Sequence, residues 1–220
     1  MDIRVTESSI PGIVVIEPEA FQDHRGFFYE SYNKRRFAEH GLKHIFVQDN
    51  HSRSTRGVLR GLHYQDRTAP QFRLIRCTVG EVWDVAVDLR TGSPTFGKWF
   101  GMALSAENKK QLLIAPEFAH GFVVLSETAE VQYKCTNYHD GTAEASLAWN
   151  DPDVGIAWPV KNPILSDRDR TRGKSLREYL QRPAFTFSQS SALMDLEWQE
   201  TARVARQYPS NRHLRSRDSR

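Results

Sequence analysis

The sequence predicts a mostly β protein, a sandwich or barrel in one principal domain. Short runs rich in β-branched and aromatic residues recur at roughly 8–12-residue spacing, the pattern of such folds, and Gly, Pro, Asn or Asp separates them. No helical pattern alternates with these runs, which argues against a parallel α/β sheet. A chain of 220 residues is long enough for one sizeable core.

The predicted elements follow one another as strands with one early helix. In the first third, GIVVIEP and GFFYESY are β-rich, and KRRFAEHG predicts a brief helix that ends at Gly41. Eight further strand runs follow: FVQDNHSRS, GVLRGLHYQ, FRLIRCTV, EVWDVAVDLR, KWFGMALS, KQLLIAP, HGFVVLSE and EVQYKCTNY. The TVGE segment from Thr78 to Glu81 predicts a hairpin between two of them.

The sequence changes character after Trp149. Residues 150–175 are loop-rich, SLREYL predicts one or two helical turns, and residues 191–208 form a possible helix. The last dozen residues, rich in Arg and Ser, are expected to be disordered. We therefore divide the chain into a β domain at residues 1–185 and a C-terminal extension at residues 186–220.

The positive net charge belongs to the C-terminal tail. Residues 203–220 hold six arginines against one aspartate, so of the total of +3 the tail carries +5 and the rest of the chain −2. The body is therefore not a nucleic-acid-binding surface. With no apolar run of membrane-spanning length and no signal-peptide pattern at the N-terminus, we expect a cytoplasmic protein without membrane contact. Cys77 and Cys135, far apart and outside any C-x-x-C pattern, are expected to be reduced core residues.

His63 is the histidine whose surroundings point to chemistry. In a strand, Gly61, His63 and Gln65 share one face, whereas Leu62 and Tyr64 share the other. A histidine between Gly and Gln favours a wet cavity, although a structural histidine is an equal reading of the pattern. A metal site is disfavoured, because Gln65 stands where an H-x-H pair needs its second histidine, and His63 and a distant His120 are too few ligands.

Two acids of another strand share one face. Asp84 and Asp88 alternate with apolar residues, which indicates either a polar barrel interior or an outer surface. We expect Asp84 to neighbour the pocket and Asp88 to lie on the surface.

Nine motifs follow one another along the chain: DHRGFFYESYN, FVQDNHS, VLRGLHYQ, VGEVWDVAVDLR, SPTFGKW, LSAEN, PEFAHGF, YKCTNY and WNDPDVGIAWP. In order and at matching spacing, from about Ile3 to Asp169, the sequence resembles the dTDP-4-dehydrorhamnose 3,5-epimerase family. The resemblance implies a cupin-type jelly roll that works as a homodimer and needs no metal or cofactor. It also implies a substrate, a dTDP-linked 4-keto-6-deoxyhexose, which is inverted at C3 and C5.

The resemblance also implies the acid–base residues. A C–H beside a ketone is acidic enough to be removed if the enolate is stabilised, and inversion needs a base on one face and a proton donor on the other. The family pattern makes His63 the base, Asp169 the carboxylate that orients it, and Tyr133 the donor. Judged from spacing alone, Asp169 would be a surface carboxylate and Tyr133 a packed cross-strand residue.

The chain departs from the family at three positions. Arg73 stands where the family has a lysine near the C4 oxygen, and as a permanently charged donor it is still able to stabilise an enolate. Phe72 replaces a glycine and is expected to reshape the pocket as a neighbour. Arg168, a substrate-binding position, also replaces a lysine. These changes leave open which sugar is bound and how many centres are inverted.

The remaining family positions would bind the nucleotide. Arg25 and Arg60 match the diphosphate ligands, and Phe27 would contact the thymine. Further substrate-binding matches are Glu30, Gln48, Asn50, His120 and Glu144. In the family the N-terminal region completes the partner's site, so Arg25 and Phe27 would serve the second subunit, although the DHRG sequence is also typical of a turn.

Arg60 lies three residues before His63, so a regular strand would place the two on opposite faces. Both reach one site only if Gly61 permits a bulge or Arg60 acts from an edge.

Three alternatives to the double epimerase stay open at the level of sequence. One is a single-centre epimerase, or an epimerase of another nucleotide sugar, which Phe72 and Arg73 suggest. Another is a jelly roll that binds a sugar nucleotide without turnover. The third, a metalloenzyme, has too few ligands to be favoured.

Overall fold

Two antiparallel sheets face each other and enclose a cavity between them. The structure is a computed structural model that describes residues 1–187, so the possible helix at 191–208 and the tail lie outside the described residues. The larger sheet has the strand order β1-β2-β11-β7-β13-β5. Its strands are β1 (Ile3–Glu7), β2 (Ile13–Pro18), β11 (Gln111–Ile114), β7 (Arg73–Val79), β13 (Thr128–Cys135) and β5 (Gln48–Thr55).

The second sheet has five strands in the order β10-β8-β12-β6-β14. These are β10 (Trp99–Ser105), β8 (Glu81–Asp88), β12 (Phe118–Val124), β6 (Leu59–Gln65) and β14 (Glu144–Ser146). The ten strand runs read from the sequence all contain strands, and the prediction of a mostly β fold is confirmed.

Two small strand pairs and three short helices complete the described part of the chain. The pairs are β3 (Phe21–Asp23) with β4 (Gly26–Phe28), and β9 (Arg90–Thr91) with β15 (Phe185–Thr186). The helices are α1 (Lys34–Glu39), α2 (Asp167–Thr171) and α3 (Leu176–Gln181). The predicted boundary between residues 185 and 186 falls inside β15. Within the described residues, no helix has the length and apolarity to span a membrane.

Both faces of the five-stranded sheet are buried. Between the sheets, Val82 and Leu104 pack against residues of the larger sheet such as Ile75. On the outer face, Leu62 and Tyr64 pack with residues of the C-terminal segment in a second cluster. Because Leu62 and Tyr64 face outward, His63 between them points inward, as the alternation predicts. Cys77 and Cys135 are buried and free, in agreement with the prediction.

The predicted hairpin from Thr78 to Glu81 is wrong. The two strands on either side, β7 and β8, belong to different sheets and do not pair. Gly80 between them has a φ of +71°, and a Cβ there would lie 2.1 Å from the Thr128 carbonyl oxygen. The sharp turn therefore carries the chain from one sheet to the other, and a strand–turn–strand pattern does not distinguish this corner from a hairpin.

A bulge at Gly61 brings Arg60 and His63 into one cavity. Opposite β12, His63 pairs with His120 and Arg60 pairs with Phe122, so three steps along β6 match two steps along its partner. Gly61 has a φ of +141°, and a Cβ there would lie 2.6 Å from the Cα of Gly121. Glycine is therefore required, and the bulge considered from the sequence is present.

Candidate active site

A cavity of about 670 Å³ lies between the two sheets. Both sheets, helix α2 and the segment before that helix contribute to its wall. The lining residues include ten of the predicted site residues: Gln48, Asn50, Arg60, His63, Arg73, His120, Tyr133, Glu144, Arg168 and Asp169. Side chains more than 100 residues apart in sequence thus converge on one space.

His63 and Asp169 form a short hydrogen-bonded pair on the wall made by the five-stranded sheet. His63 Nε2 lies 2.6 Å from Asp169 Oδ1, and His63 Nδ1 makes no hydrogen bond to the described residues. Ser166 caps helix α2 by accepting a hydrogen bond from the Asp169 amide, which fixes the carboxylate at the start of the helix. Burial acts to raise the pKa of Asp169, but the hydrogen bond and charge of His63, together with Ser166 and the Arg168 charge, outweigh it, so the pKa lies below its ordinary value. The carboxylate therefore stays ionised behind the histidine.

A second histidine–carboxylate pair lies deeper in the same wall. His120 Nε2 lies 2.9 and 3.0 Å from the two carboxylate oxygens of Asp84. Its side chain is 8% exposed, compared with 26% for His63. Asp84, expected as a pocket neighbour, is fully buried and does not line the cavity, but it is hydrogen-bonded to His120, which does.

Tyr133 and Arg73 line the opposite wall, on adjacent strands of the six-stranded sheet. Arg73 pairs with Cys135, two residues beyond Tyr133, so the arginine and tyrosine side chains are diagonal neighbours on one face. Arg73 Nη1 donates to the carbonyl oxygen of His63 at 3.0 Å and so links the two sheets. Burial raises the pKa of Tyr133, and the nearby Arg73 charge only partly offsets this, so the phenol keeps its proton into the alkaline range.

Charged and amide side chains line the cavity along its length. Arg168 Nη1 donates to Glu144 Oε2 at 2.6 Å, and Gln48 donates to Asn50 at 3.1 Å. Arg60 Nε donates to Ser54 Oγ at 3.0 Å, which leaves its terminal nitrogens for another acceptor. Within residues 1–187, the permanently charged cations that line the cavity are Arg60, Arg73 and Arg168.

Five of the predicted site residues do not line this cavity: Asp84, described above, and four others. Arg25 and Phe27 belong to the exposed β3–β4 hairpin, where Arg25 pairs with Asp23 and Lys109 lies over the Phe27 ring. Glu30 accepts a hydrogen bond from Asn33. Phe72, expected as a pocket neighbour, lies between two lining residues in sequence but does not itself line the cavity; its ring is buried against His44, with the centroids 4.1 Å apart.

The surface position predicted for Asp88 is wrong. Asp88 is fully buried and accepts hydrogen bonds from Arg90, which lies two residues further along the chain, at 2.7 and 2.8 Å. Thr95 and Ser93 also donate to it. Burial acts to raise the pKa of Asp88, but these partners lower it below the ordinary value. The alternation of Asp84 and Asp88 with apolar residues shows that the two acids share one face of the strand. It does not show whether that face is exposed to solvent or covered by other parts of the chain.

Several lining residues were not identified from the sequence. Ser52, Gln71, His139 and Ser166 all border the cavity. Ser166 had a readable signal, since it precedes two acids as a helix cap. The described residues contain no group of three or more His, Cys, Asp or Glu arranged to hold a metal ion.

The jelly roll and the side chains that line its cavity are those of a class of enzymes, the cupin-type isomerases that act on sugar nucleotides. A family model described as dTDP-4-dehydrorhamnose 3,5-epimerase matches residues 7–178. The enzyme of that name from Pseudomonas aeruginosa is 56% identical over 178 residues, which cover 80% of this chain and 97% of the relative. The chain belongs to the dTDP-4-dehydrorhamnose 3,5-epimerase family.

Solved structures extend this comparison to ligand-bound relatives. A 3,5-epimerase from Legionella pneumophila in complex with dTDP-4-keto-L-rhamnose is 44% identical, with a TM-score of 0.79 over 84% of this chain and 98% of that one. ChmJ, a 3'-monoepimerase from Streptomyces bikiniensis in complex with dTDP-quinovose, is 31% identical, with a TM-score of 0.80 over 89% of this chain and 98% of that one.

Proposed function

We propose that this protein epimerises a dTDP-linked 4-keto-6-deoxyhexose at C3 and C5. The observation that carries the proposal is the placement of a histidine and a tyrosine on opposite walls of one cavity. His63 belongs to the five-stranded sheet and Tyr133 to the six-stranded sheet, and both line the cavity. Inversion of a carbon requires removal of a proton from one face and delivery to the other, and facing sheets provide this arrangement.

In the proposed reaction, His63 removes the proton next to the C4 ketone. Its Nε2 is engaged by Asp169, so Nδ1 is the nitrogen that accepts the substrate proton. The ionised carboxylate holds the required tautomer and stabilises the imidazolium that forms. Asp169 is thus the orienting partner of the base.

Arg73 stabilises the enolate in this scheme. The hydrogen bond from its Nη1 to the His63 carbonyl positions the guanidinium beside the base, and its other donors remain for the C4 oxygen. A fixed positive charge held at this position is well suited to a developing oxyanion. Tyr133, which keeps its proton because burial raises its pKa, then protonates the carbon from the opposite wall.

In this proposal, the nucleotide contacts the polar side chains of the cavity wall. Arg60 has unused guanidinium nitrogens for the diphosphate, and Gln48, Asn50, Glu144 and Arg168 provide further polar contacts. His120 binds the sugar from the deeper part of the wall. No step of this scheme uses a metal or cofactor.

We also propose that the functional form is a homodimer in which the β3–β4 hairpin completes the second subunit's site. The hairpin pairs with neither main sheet, and Phe21, Phe27 and Phe28 are each more than half exposed. Such an apolar projection fits a protein partner, and Arg25 beside it would add a guanidinium to the neighbour's diphosphate site. A cytoplasmic location remains a prediction for cell fractionation to check.

Complementation between inactive variants tests the shared site. Arg25→Ala and His63→Ala homodimers should each lose most activity. Mixed subunits regain one intact site in each heterodimer, so an equal mixture should recover about a quarter of wild-type activity if dimers exchange at random. No recovery after verified subunit exchange would contradict the shared site.

The reaction itself is tested by deuterium incorporation. The wild-type protein, incubated with dTDP-4-keto-6-deoxyglucose in D₂O, should incorporate deuterium at C3 and C5 with inversion, as read by NMR and mass spectrometry. His63→Ala should abolish the exchange, whereas His40→Ala, at the end of α1 and outside the cavity, should not. Undiminished exchange in His63→Ala would exclude histidine 63 as the base.

A single-centre epimerase is the second candidate. The observation in its favour is the similarity to ChmJ, a 3'-monoepimerase on the same fold. In the same D₂O experiment, it would give one deuteron and inversion at one carbon. Binding of the nucleotide sugar without any exchange would instead support a binding protein.

A further inference from the structure

One buried glutamine on the cavity wall has a side-chain nitrogen without a hydrogen-bond partner. Gln71 lies two residues before β7, is 6% exposed and lines the cavity. Its Nε2 has almost no accessible surface and makes no hydrogen bond within residues 1–187. Buried polar groups are normally satisfied, and an unsatisfied donor is costly in free energy. The placement therefore requires an explanation.

The backbone holds Gln71 firmly from both sides. Phe72 donates its amide to Thr136 Oγ1 at 2.9 Å, and its carbonyl accepts from the Thr136 amide at 3.2 Å. On the other side, the Pro70 carbonyl accepts from Asn137 Nδ2 at 3.4 Å. The chain path at Gln71 is thus fixed by the end of β13, and only the side chain is free to adjust. The terminal amide torsion of glutamine has a broad energy profile, so a rotation about it turns Nε2 towards a ligand at little cost.

The surroundings of Gln71 indicate which part of a ligand it meets. Arg73 follows two residues later, and its guanidinium is bonded to the carbonyl of His63. Gln71 is therefore on the wall beside the proposed reacting centre. An amide is a neutral donor, which matches a neutral hydroxyl or carbonyl oxygen, whereas the guanidinium groups of the cavity match the charged diphosphate.

We propose that the Gln71 amide donates a hydrogen bond to an oxygen of the bound hexose and thereby acts as a specificity-determining residue. This inference rests on the proposed function, since it assigns a further contact to the same substrate. The donor is unsatisfied in the empty site and satisfied in the complex. A site that loses a buried hydrogen bond when the sugar is absent discriminates the sugar nucleotide from the nucleotide alone.

Two substitutions at Gln71 separate this role from a structural one. Gln71→Met keeps the length and apolar stem but removes the donor, and Gln71→Glu replaces the donor by a carboxylate. We expect Gln71→Met to lower kcat/KM for the dTDP-4-keto sugar about tenfold, the effect of one substrate hydrogen bond in a buried site. Gln71→Glu should lose more, because its charge repels an acceptor oxygen. The Kd of dTDP should stay within about twofold of wild type in Gln71→Met, since the nucleotide makes no contact with this group.

Stability provides the second readout. Removing a donor that has no partner costs the folded protein little, so Gln71→Met should match or exceed the wild-type Tm. The matched control is Gln111→Met. Gln111 is also buried, lies outside this cavity and donates from Nε2 to the Ser31 carbonyl at 2.8 Å. The Gln111→Met substitution should lower Tm and leave the ratio of dTDP-sugar affinity to dTDP affinity unchanged.

The outcomes are separable. If Gln71→Met weakens dTDP as much as the dTDP-sugar, the amide contacts the nucleotide and the sugar assignment is overturned. If neither affinity nor kcat/KM changes while the wild type is active, Gln71 is not a ligand of the substrate. Absence of deuterium exchange in the wild-type protein would instead overturn the proposed function.

Discussion

Two histidine–carboxylate pairs border the cavity, and replacing each carboxylate by asparagine tests which histidine is the base. Asp169→Asn keeps the size of the side chain but removes the negative charge behind His63. Asp84→Asn does the same behind His120. Because His63 is the more exposed histidine and has an unengaged Nδ1, we expect the Asp169 substitution to slow proton abstraction more strongly.

The magnitude follows from the hydrogen bond that is weakened. Asp169 Oδ1 lies 2.6 Å from His63 Nε2, and the aspartate side chain is 5% exposed, so solvent screens the pair little. When His63 accepts a substrate proton, the bond becomes one between two charged groups. Hydrogen bonds to charged groups contribute about 1.5–3 kcal/mol, and each 1.36 kcal/mol is tenfold in rate, so kcat should fall about 10- to 150-fold.

The assay is C–H exchange with D₂O at saturating substrate, with KM measured in parallel. KM should change by no more than about twofold, because the interaction with Asp169 strengthens only in the transition state. Thermal melts of both variants control for misfolding. A kcat within threefold of wild type in Asp169→Asn, together with a large loss in Asp84→Asn, would refute the assignment of His63 and transfer the role to His120.

Three further predictions concern the opposite wall and the core. Tyr133→Phe should retain deuterium exchange, because the base is intact, but should lose inversion by about 100-fold or more, as measured by product NMR; full inversion would exclude Tyr133 as the donor. Burial raises the pKa of Tyr133 and arginine stays charged, so wild-type kcat/KM should hold to about pH 10 or beyond. Arg73→Lys should decline at lower pH, because burial in the cavity wall lowers the pKa of the introduced ammonium group; coincident alkaline limbs would contradict the role of Arg73. Asp88→Asn leaves the buried Arg90 charge without its ionised partner and should lower the free energy of unfolding by about 3–5 kcal/mol in urea titrations. Because the pKa of Asp88 is lowered in the folded protein, the wild type should lose the contribution of the Asp88–Arg90 pair only as the pH falls below about 4. If Asp88→Asn is as stable as the wild type at pH 7, the pair does not contribute to stability.

The strands and the direction of the His63 side chain could be predicted from the sequence, because both depend on local alternation of residue types. Leu62 and Tyr64 bracket His63, and a period of two sends them to the opposite face. The bulge was one of two alternatives, because the resemblance placed Arg60 and His63, three residues apart, in one site and Gly61 lies between them. Local patterns are enough where one strand determines the answer.

The errors arose where a second element determines the answer. Asp88 alternates with apolar residues in the same way on a surface or in a core, and its burial depends on strands that are distant in sequence. Asp169 lies 106 residues from His63, and no spacing rule joins them; the family resemblance alone indicated the pair. Gln71 carries no sequence signal, because an unsatisfied amide is a property of the packed structure.

The division of the proposed acid and base between two sheets also bears on how many centres are inverted. C3 and C5 flank C4, so a ring whose C4 oxygen is held by Arg73 presents one or the other carbon to the space between His63 and Tyr133, depending on its tilt. One-centre and two-centre enzymes therefore need not differ in acid or base. We expect the difference to lie in groups that fix the tilt of the ring, and Gln71, with its buried unpartnered donor two residues before Arg73, is our candidate for such a group. On this reasoning, loss of the Gln71 donor should alter the ratio of deuterium incorporated at C3 and C5, and not only the total rate.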